Sequence, residues 1–513
     1  MNEPARSSSV IGEILGDLQT KRRRPPCCSI VIFGVTGDLT GRKLAPALYN
    51  VMVDGLLAEG TRIIGVSRPQ LSTQELAAKL HDGVQQHSRQ KPEPEAWKRF
   101  VQMLDYTNGE FHEDATYERL AKKLEEAKAA GTKGNRVFYL ATPPALFPVI
   151  LRKLAEHKLI EHGGAAEPFN RVIVEKPFGR DLASARELND LIASFIDENQ
   201  IYRIDHYLGK ETVQNILVLR FGNSIFEPLW NRNHIDFVEV SAAEEIGIEG
   251  RGAFYESTGV VRDVIQNHLL QVMSLVTMEV PLSFSADDVR DEKAQLLRSL
   301  RPFSLVDVAT EAVRGQYRGY RLEDGVARDS QTPTFAAMRF MIDNWRWQGV
   351  PFYLRAGKKL AKRVTEVAIH FKAVPLVLFK DEEARRSLQP AVLVLRIQPE
   401  EGISMRFAAK VPGEMINVGN VHMTMTYADA FKRPIAEAYE RLLLDCMRGD
   451  ATLFNRRDAV DRQWELIDPI LRVWEATPGV ELYEPGTEGP PSADELITRD
   501  GHCWRPLDGA PGC

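Results

Sequence analysis

Cysteine is scarce in this chain: five residues, Cys27, Cys28, Cys446, Cys503 and Cys513, among 513. Their number is odd and none fall at metal-ligand spacing, which excludes a disulfide scaffold and a cysteine metal centre; no metal site is expected. Reduced thiols are the expectation, and with them a cytoplasmic location. No apolar run is long enough for a membrane-spanning helix. An excess of positive charge is missing too: 65 lysines and arginines face 71 acids, a net charge of −6. Nucleic acid is therefore excluded as a bulk partner, although local positive charge for a small anion is not. Internal repeats and low-complexity arrays are also absent.

What is present is the composition of a globular protein, 44% hydrophobic and 27% charged. The length exceeds one ordinary core, so two large domains are expected. Residues 1–27 read as a flexible extension. Val10, Ile11, Ile14, Leu15 and Leu18 recur at helical spacing ahead of the basic run Lys21–Arg24. A secretory signal would place its basic residues first, and a transit peptide would lack Glu3, Glu13 and Asp17.

Short apolar runs then alternate with helical patterns. Ser29–Phe33, Arg62–Val66, Arg136–Ala141 and Arg171–Val174 read as buried strands, with a helix over Lys43–Asp54 after the first. Near-continuous apolar strands separated by helices predict a parallel, doubly wound α/β sheet of Rossmann type over residues 28–203. Beyond residue 204 the alternation stops. Helices are expected over Arg262–Met278 and Ala436–Met447. Strands are expected at Phe237–Ala242, Phe352–Arg355, Val364–Phe371, Ala391–Ile397 and His422–Tyr427. This pattern predicts an α+β domain over 204–505 with a large, mainly antiparallel sheet. Residues 477–491 read as a loop, and 506–513 as a tail.

The first strand runs into Gly34-Val-Thr-Gly37-Asp-Leu-Thr-Gly41. Glycines at a strand-to-helix turn let backbone approach a pyrophosphate, which a helix N-terminus then stabilises. The spacing departs from GxGxxG, so a turn that merely needs glycine conformations is the alternative. The second strand ends Gly65-Val66-Ser67-Arg68. An NAD site carries an acid there for the ribose, whereas a basic residue suits a 2′-phosphate, so Arg68 points to NADP. An ordinary surface arginine is the competing reading.

Arg203–Glu211, RIDHYLGKE, packs a carboxylate, an imidazole, a phenol and an ammonium into six positions, Asp205 to Lys210. Charged groups are rarely buried unless paired, so the run has little use as core. His206, Tyr207 and Lys210 all donate hydrogen bonds, which suits a phosphate clamp; Asp205 more plausibly orients another group. His268 lies on a helical pattern, with Val264 and Val272 four residues to either side. Alone it reads as a core histidine. Paired with a carboxylate it becomes a general base, able to take a hydroxyl proton while a hydride leaves the same carbon.

Gly34–Leu39 (GVTGDL), Val174–Gly179 (VEKPFG), RIDHYLGKE and Arg262–Gln271 (RDVIQNHLLQ) together resemble the glucose-6-phosphate dehydrogenase family. The likeness continues through Glu249–Gly252, Asp343–Trp347, Val350–Arg355 and Ala438–Arg441, and covers residues 28–505. It implies NADP-dependent oxidation of glucose 6-phosphate to the 6-phosphogluconolactone, the first oxidative step of the pentose phosphate pathway. It assigns His268 as base and Asp205 as its partner. His206, Tyr207 and Lys210 would hold the 6-phosphate, with Lys176, Glu244, Asp263, Lys358 and Arg363 around the sugar. For the cofactor it implies Gly34, Val35, Thr36, Gly37, Asp38, Leu39, Thr40, Gly41, Arg68, Glu110, Phe111, Tyr139 and Lys176. A homodimer or homotetramer is the assembly it suggests. Two readings compete: an oxidoreductase for another sugar, and a catalytically silent NADP-binding protein. The first has no use for three phosphate donors, and the second predicts loss of Asp205 or His268.

Overall fold

The computed structural model describes residues 24–375, 378, 388–414, 417–432 and 435–509. The amphipathic pattern at residues 10–18 and the last four residues of the expected tail lie outside them. The chain folds as two compact units.

The first unit is built on β1 (Ser29–Phe33), β2 (Arg62–Ser67), β3 (Leu104–Asn108), β4 (Arg136–Leu140), β5 (Asn170–Val174) and β6 (Ile201–Ile204). Val, Ile and Phe dominate β1, and every one of its residues is buried, as a strand covered on both faces requires. The strands lie in the order β3-β2-β1-β4-β5-β6 and pair in parallel. That is the doubly wound arrangement, with its direction reversing between β1 and β4. The α/β expectation therefore holds. Tyr439–Ala451 belongs to this unit as well. Glu440 there accepts from the Asn50 amide at 2.8 Å and from Arg89, and the Arg171 guanidinium donates to the Cys446 carbonyl at 2.8 Å.

The second unit takes in Lys176–Asp190, Asp205–Ala438 and the chain from Thr452 onward. Its strands are β7 (Ile235–Ala243), β8 (Ala312–Tyr317), β9 (Phe335–Met341), β10 (Pro351–Gly357), β11 (Val364–Phe371), β12 (Val392–Gln398), β13 (Gly402–Val411) and β14 (Asn417–Thr426). With the short strand Glu481–Tyr483 they form a nine-stranded sheet, ordered β14-β13-β12-β11-β7-β10-β9-β8 and then 481–483. Only β7–β10 and the last pair run parallel; the others are antiparallel, as expected. Residues 481–483 correct the reading of 477–491 as loop throughout, since edge pairing to β8 imposes a strand that the sequence pattern does not announce.

Two further expectations change. The helix over Arg262–Met278 exists, but Val261–Leu269 is π-helical and only Leu270–Thr277 is α-helical. Such widened turns occur often at functional sites, and this one carries both Asp263 and His268. Cys27, Cys28 and Cys446 are free thiols, whereas Cys503 is disulfide-bonded. An odd count does not forbid one bridge.

Large aromatics anchor the second unit. Trp230, Trp347 and Trp464 are fully buried, and each indole N–H donates to a backbone carbonyl, of Val276, Thr277 and Phe178 at 2.7–2.8 Å. Buried indoles need such a partner. The Phe178 bond, with Asn189 to Asp461 at 2.9 Å, ties the Lys176–Asp190 segment to the helix Arg457–Ala476.

Candidate active site

Asp205 is the first residue after β6 and is 2% exposed. A carboxylate can persist in such a place only with compensating partners. Its Oδ1 accepts the Tyr207 backbone N–H at 2.9 Å and faces His268 Nδ1 at 2.5 Å. Burial pushes the Asp205 carboxyl up, but the His268 and His206 charges and these hydrogen bonds outweigh it and bring its pKa down to about 2. Asp205 is therefore an anion, and Nδ1 of a neutral His268 carries its proton towards it.

The other face of the imidazole completes the arrangement. Lys176 Nζ lies 3.0 Å from His268 Nε2 and donates to the Asp263 carbonyl at 2.8 Å and to its Oδ1 at 3.1 Å. An ammonium has only donors, so Nε2 must offer it a lone pair. Both neighbours thus favour the same tautomer, protonated at Nδ1 and basic at Nε2. Burial first, then the Lys176 charge, hold His268 below its ordinary 6.5 against the opposing pull of Asp205. It is a neutral base at neutral pH.

The aromatic and basic groups of RIDHYLGKE surround it. The Tyr207 ring stacks on His268 with centroids 4.3 Å apart, and His206 meets His268 edge-on at 4.6 Å. Burial and the charges of His268 and Lys176 hold His206 well below 6.5, so it donates as a neutral imidazole through one N–H. Lys210 Nζ sits 4.7 Å from the Tyr207 ring centre and donates to Gln398 Oε1 at 2.5 Å. The Gln398 amide in turn donates to Thr365 Oγ1 at 2.9 Å and points at the Tyr207 hydroxyl at 3.4 Å. Lys358, 3% exposed, donates to Glu244 Oε2 at 2.6 Å. Asp263 is brought to about 2, because the Lys176 and Lys358 charges overcome burial.

The structure thus brings Lys176, Asp205, His206, Tyr207, Lys210, Asp263 and His268 together, with Glu244 and Lys358 paired beside Asp263. Arg363 is exposed just before β11 and makes no hydrogen bond or ion pair among the described residues, so no bond ties it to this cluster. Gln398 and Thr365 are members that sequence reasoning missed, being uncharged residues on strands that offer no signal.

The first unit carries the nucleotide turn. Gly34 has φ +82°, and a Cβ there would lie 2.5 Å from the Ala141 carbonyl oxygen. Glycine is required at that position, because any side chain would collide with the backbone that leaves β4. Gly34 N–H donates to the Val66 carbonyl at 2.8 Å, and the Thr36 and Ser67 hydroxyls meet at 2.7 Å, fixing the turn against the end of β2. Val35, Thr36, Gly37, Asp38 and Gly41 line one groove. Leu39 and Thr40 enter the following helical turn, and Thr40 is buried. Arg68 is exposed just past β2. Phe111 is buried edge-on to Phe33 at 6.0 Å, while Glu110 is exposed. Tyr139 is fully buried in β4, with its hydroxyl donating to Glu175 at 2.5 Å.

Comparison with known proteins agrees with this geometry. The family description "Glucose-6-phosphate dehydrogenase, NAD binding domain" matches residues 31–215, and "Glucose-6-phosphate dehydrogenase, C-terminal domain" matches 217–505. The chain belongs to the glucose-6-phosphate dehydrogenase family. It is 45% identical over 515 residues to the glucose-6-phosphate 1-dehydrogenase of Chlamydia pneumoniae, covering 98% of this chain and 100% of that one. The Rhizobium meliloti (strain 1021) enzyme of the same name is 46% identical over 489 residues, covering 92% and 96%. A solved glucose-6-phosphate dehydrogenase in complex with its substrate glucose-6-phosphate superposes with a TM-score of 0.86 at 38% identity, covering 94% of this chain and 99% of that one.

Proposed function

We propose that the protein oxidises glucose 6-phosphate at C1 to 6-phosphoglucono-1,5-lactone, with NADP as acceptor. The observation that carries this reading is His268, fixed as the Nδ1–H tautomer between Asp205 and Lys176. A substrate hydroxyl displaces Lys176 from Nε2 and gives up its proton there. Asp205 stabilises the imidazolium that results. Displaced from Nε2, the Lys176 ammonium remains beside Asp263 and polarises the sugar oxygen.

Lys210, His206 and the Tyr207 hydroxyl donate to the 6-phosphate, and Gln398, already bonded to Lys210, sets the position of that ammonium. Glu244 and Asp263 accept from sugar hydroxyls, with Lys358 neutralising the first. Arg363, exposed just before β11, closes the substrate site together with Lys358. The glycine cradle at Gly34 and the exposed Arg68 fit a dinucleotide with a 2′-phosphate; Thr36, Gly37 and Asp38 line its groove, and Phe111 and Tyr139 support it from the core. NADP, when bound, supplies the hydride acceptor.

A homodimer or homotetramer is the assembly we read, through the second unit's sheet. Val421 and Met423 lie exposed on one face of β14, 40% and 65% accessible. A cytoplasmic location follows from the substrates, since charged phosphates do not cross membranes unaided. Purified protein should reduce NADP with glucose 6-phosphate and give at most a trace rate with glucose. Equal rates for the two sugars would refute the phosphate clamp.

A further inference from the structure

The helix Ala286–Ser299 carries a lysine that the reaction above does not use. Its sequence, ADDVRDEKAQLLRS, looks like a solvated face, yet Val289, Lys293, Leu296 and Leu297 form its buried side. Lys293 is 2% exposed and makes no hydrogen bond or ion pair among the described residues. Burying an ammonium is strongly unfavourable unless an opposite charge answers it. A structural role alone would be served better by methionine or leucine.

The answering charge belongs to the active site. Of the charges that favour the Lys293 ammonium, the Asp205 carboxylate is the strongest and Asp458 the next. Arg290 on the same helix and Arg456 oppose it. Asp205 is itself incompletely answered: both its hydrogen bonds fall on Oδ1, while Oδ2 is buried without a partner. The Ala286–Ser299 helix packs on Leu270–Thr277, which directly continues the turn bearing His268, and on Arg457–Ala476. The cation is thus held by the elements that frame the dyad.

We propose that Lys293 is a positioning residue for the reaction: its buried charge, acting on Asp205, keeps that carboxylate ionised and keeps His268 uncharged at neutral pH. The inference rests on the Asp205–His268 dyad being the base. Asp205, Lys176, Asp263 and His206 also face His268, and His268 and His206 are the charges that act most strongly on Asp205. The contribution of Lys293 is therefore a graded one. Burial holds the Lys293 ammonium down to about 8, so it remains charged throughout the range in which His268 titrates.

The test is the pH profile of kcat/KM for wild type, Lys293→Met and Lys293→Arg, with thermal melting alongside. Removing a cation near an imidazole favours the imidazolium. Lys293→Met should therefore move the acid limb to higher pH, with a three- to tenfold lower rate on that limb, at about one pH unit per tenfold. The plateau above it should change by less than about threefold. Melting should be unchanged or higher, and Lys293→Arg should restore the limb. An unmoved acid limb in an active, folded Lys293→Met protein overturns the proposal, whether or not melting falls. A wild type without activity on glucose 6-phosphate would instead overturn the functional reading beneath it.

Discussion

Replacing Asp205 by asparagine separates orientation from charge with the smallest change of shape. Asp205 is 2% exposed and its Oδ1 lies 2.5 Å from His268 Nδ1, so no solvent stands in for the lost carboxylate. The amide can present N–H to Nδ1 and so favour the tautomer protonated at Nε2, which cannot take a proton. It can present oxygen instead, but then offers no charge to the imidazolium. Either outcome removes most of the base's contribution, about 10²–10⁴ in kcat, or about 3–5 kcal/mol of barrier. The groups assigned to the phosphate are untouched, so the KM for glucose 6-phosphate should stay within about threefold. Steady-state kinetics followed by NADPH absorbance read both quantities. A kcat within about threefold of wild type, or a loss confined to KM, would refute the dyad. The same substitution bears on acid stability. Asp205 has its pKa lowered from 3.8 to about 2, so its contribution is present above pH 3.8 and is lost as pH falls towards 2. That contribution is on the order of 2 kcal/mol, and the variant should lack that part of the acid-unfolding slope.

Lys210→Met should raise the KM for glucose 6-phosphate about ten- to a hundredfold, the cost of one charge-assisted hydrogen bond, while kcat changes little; an unchanged KM removes Lys210 from the clamp. Arg68→Glu should weaken NADP far more than NAD in a coenzyme titration, and equal losses would end its role at the 2′-phosphate. In wild type, kcat/KM should fall on the acid side with an apparent pKa below 6.5, because His268 must be neutral and its surroundings depress its pKa. A limb above 6.5 would point to a different base.

The legible parts of the fold were those where chemistry and pattern coincide. Ser29–Phe33 is read to the residue because a run of Val, Ile and Phe buried on both faces has few other uses. Leu104–Asn108 escapes notice, since it is a sheet-edge strand of mixed polarity. Ile201–Ile204 is hidden by the charged motif that begins within it. In the second unit, β13 (GISMRFAAKV) lies half exposed and has no clean alternation, so only its pairing with β12 and β14 identifies it. The π-helical turn around His268 is invisible to a spacing argument that assumes α-helix.

The same contrast runs through the site. Asp205, His206, Tyr207 and Lys210 stand out because such a cluster makes poor core. Gln398 carries no charge to betray it, and Lys293 sits among surface-like neighbours; only the packing shows that one reaches Lys210 and that the other is buried. Arg363 shows the reverse: its family role is plain from the motif, while its exposed side chain forms no hydrogen bond or ion pair among the described residues.

The most direct test of the central claim follows one hydrogen atom. Glucose 6-phosphate deuterated at C1, mixed with the protein and NADP, should give NADPH carrying one deuterium together with the phosphogluconolactone or its hydrolysis product. His268→Asn should slow this transfer by at least about a hundredfold without changing where the label goes. Reduced coenzyme without deuterium, or no reduction by an otherwise folded protein, would contradict oxidation at C1.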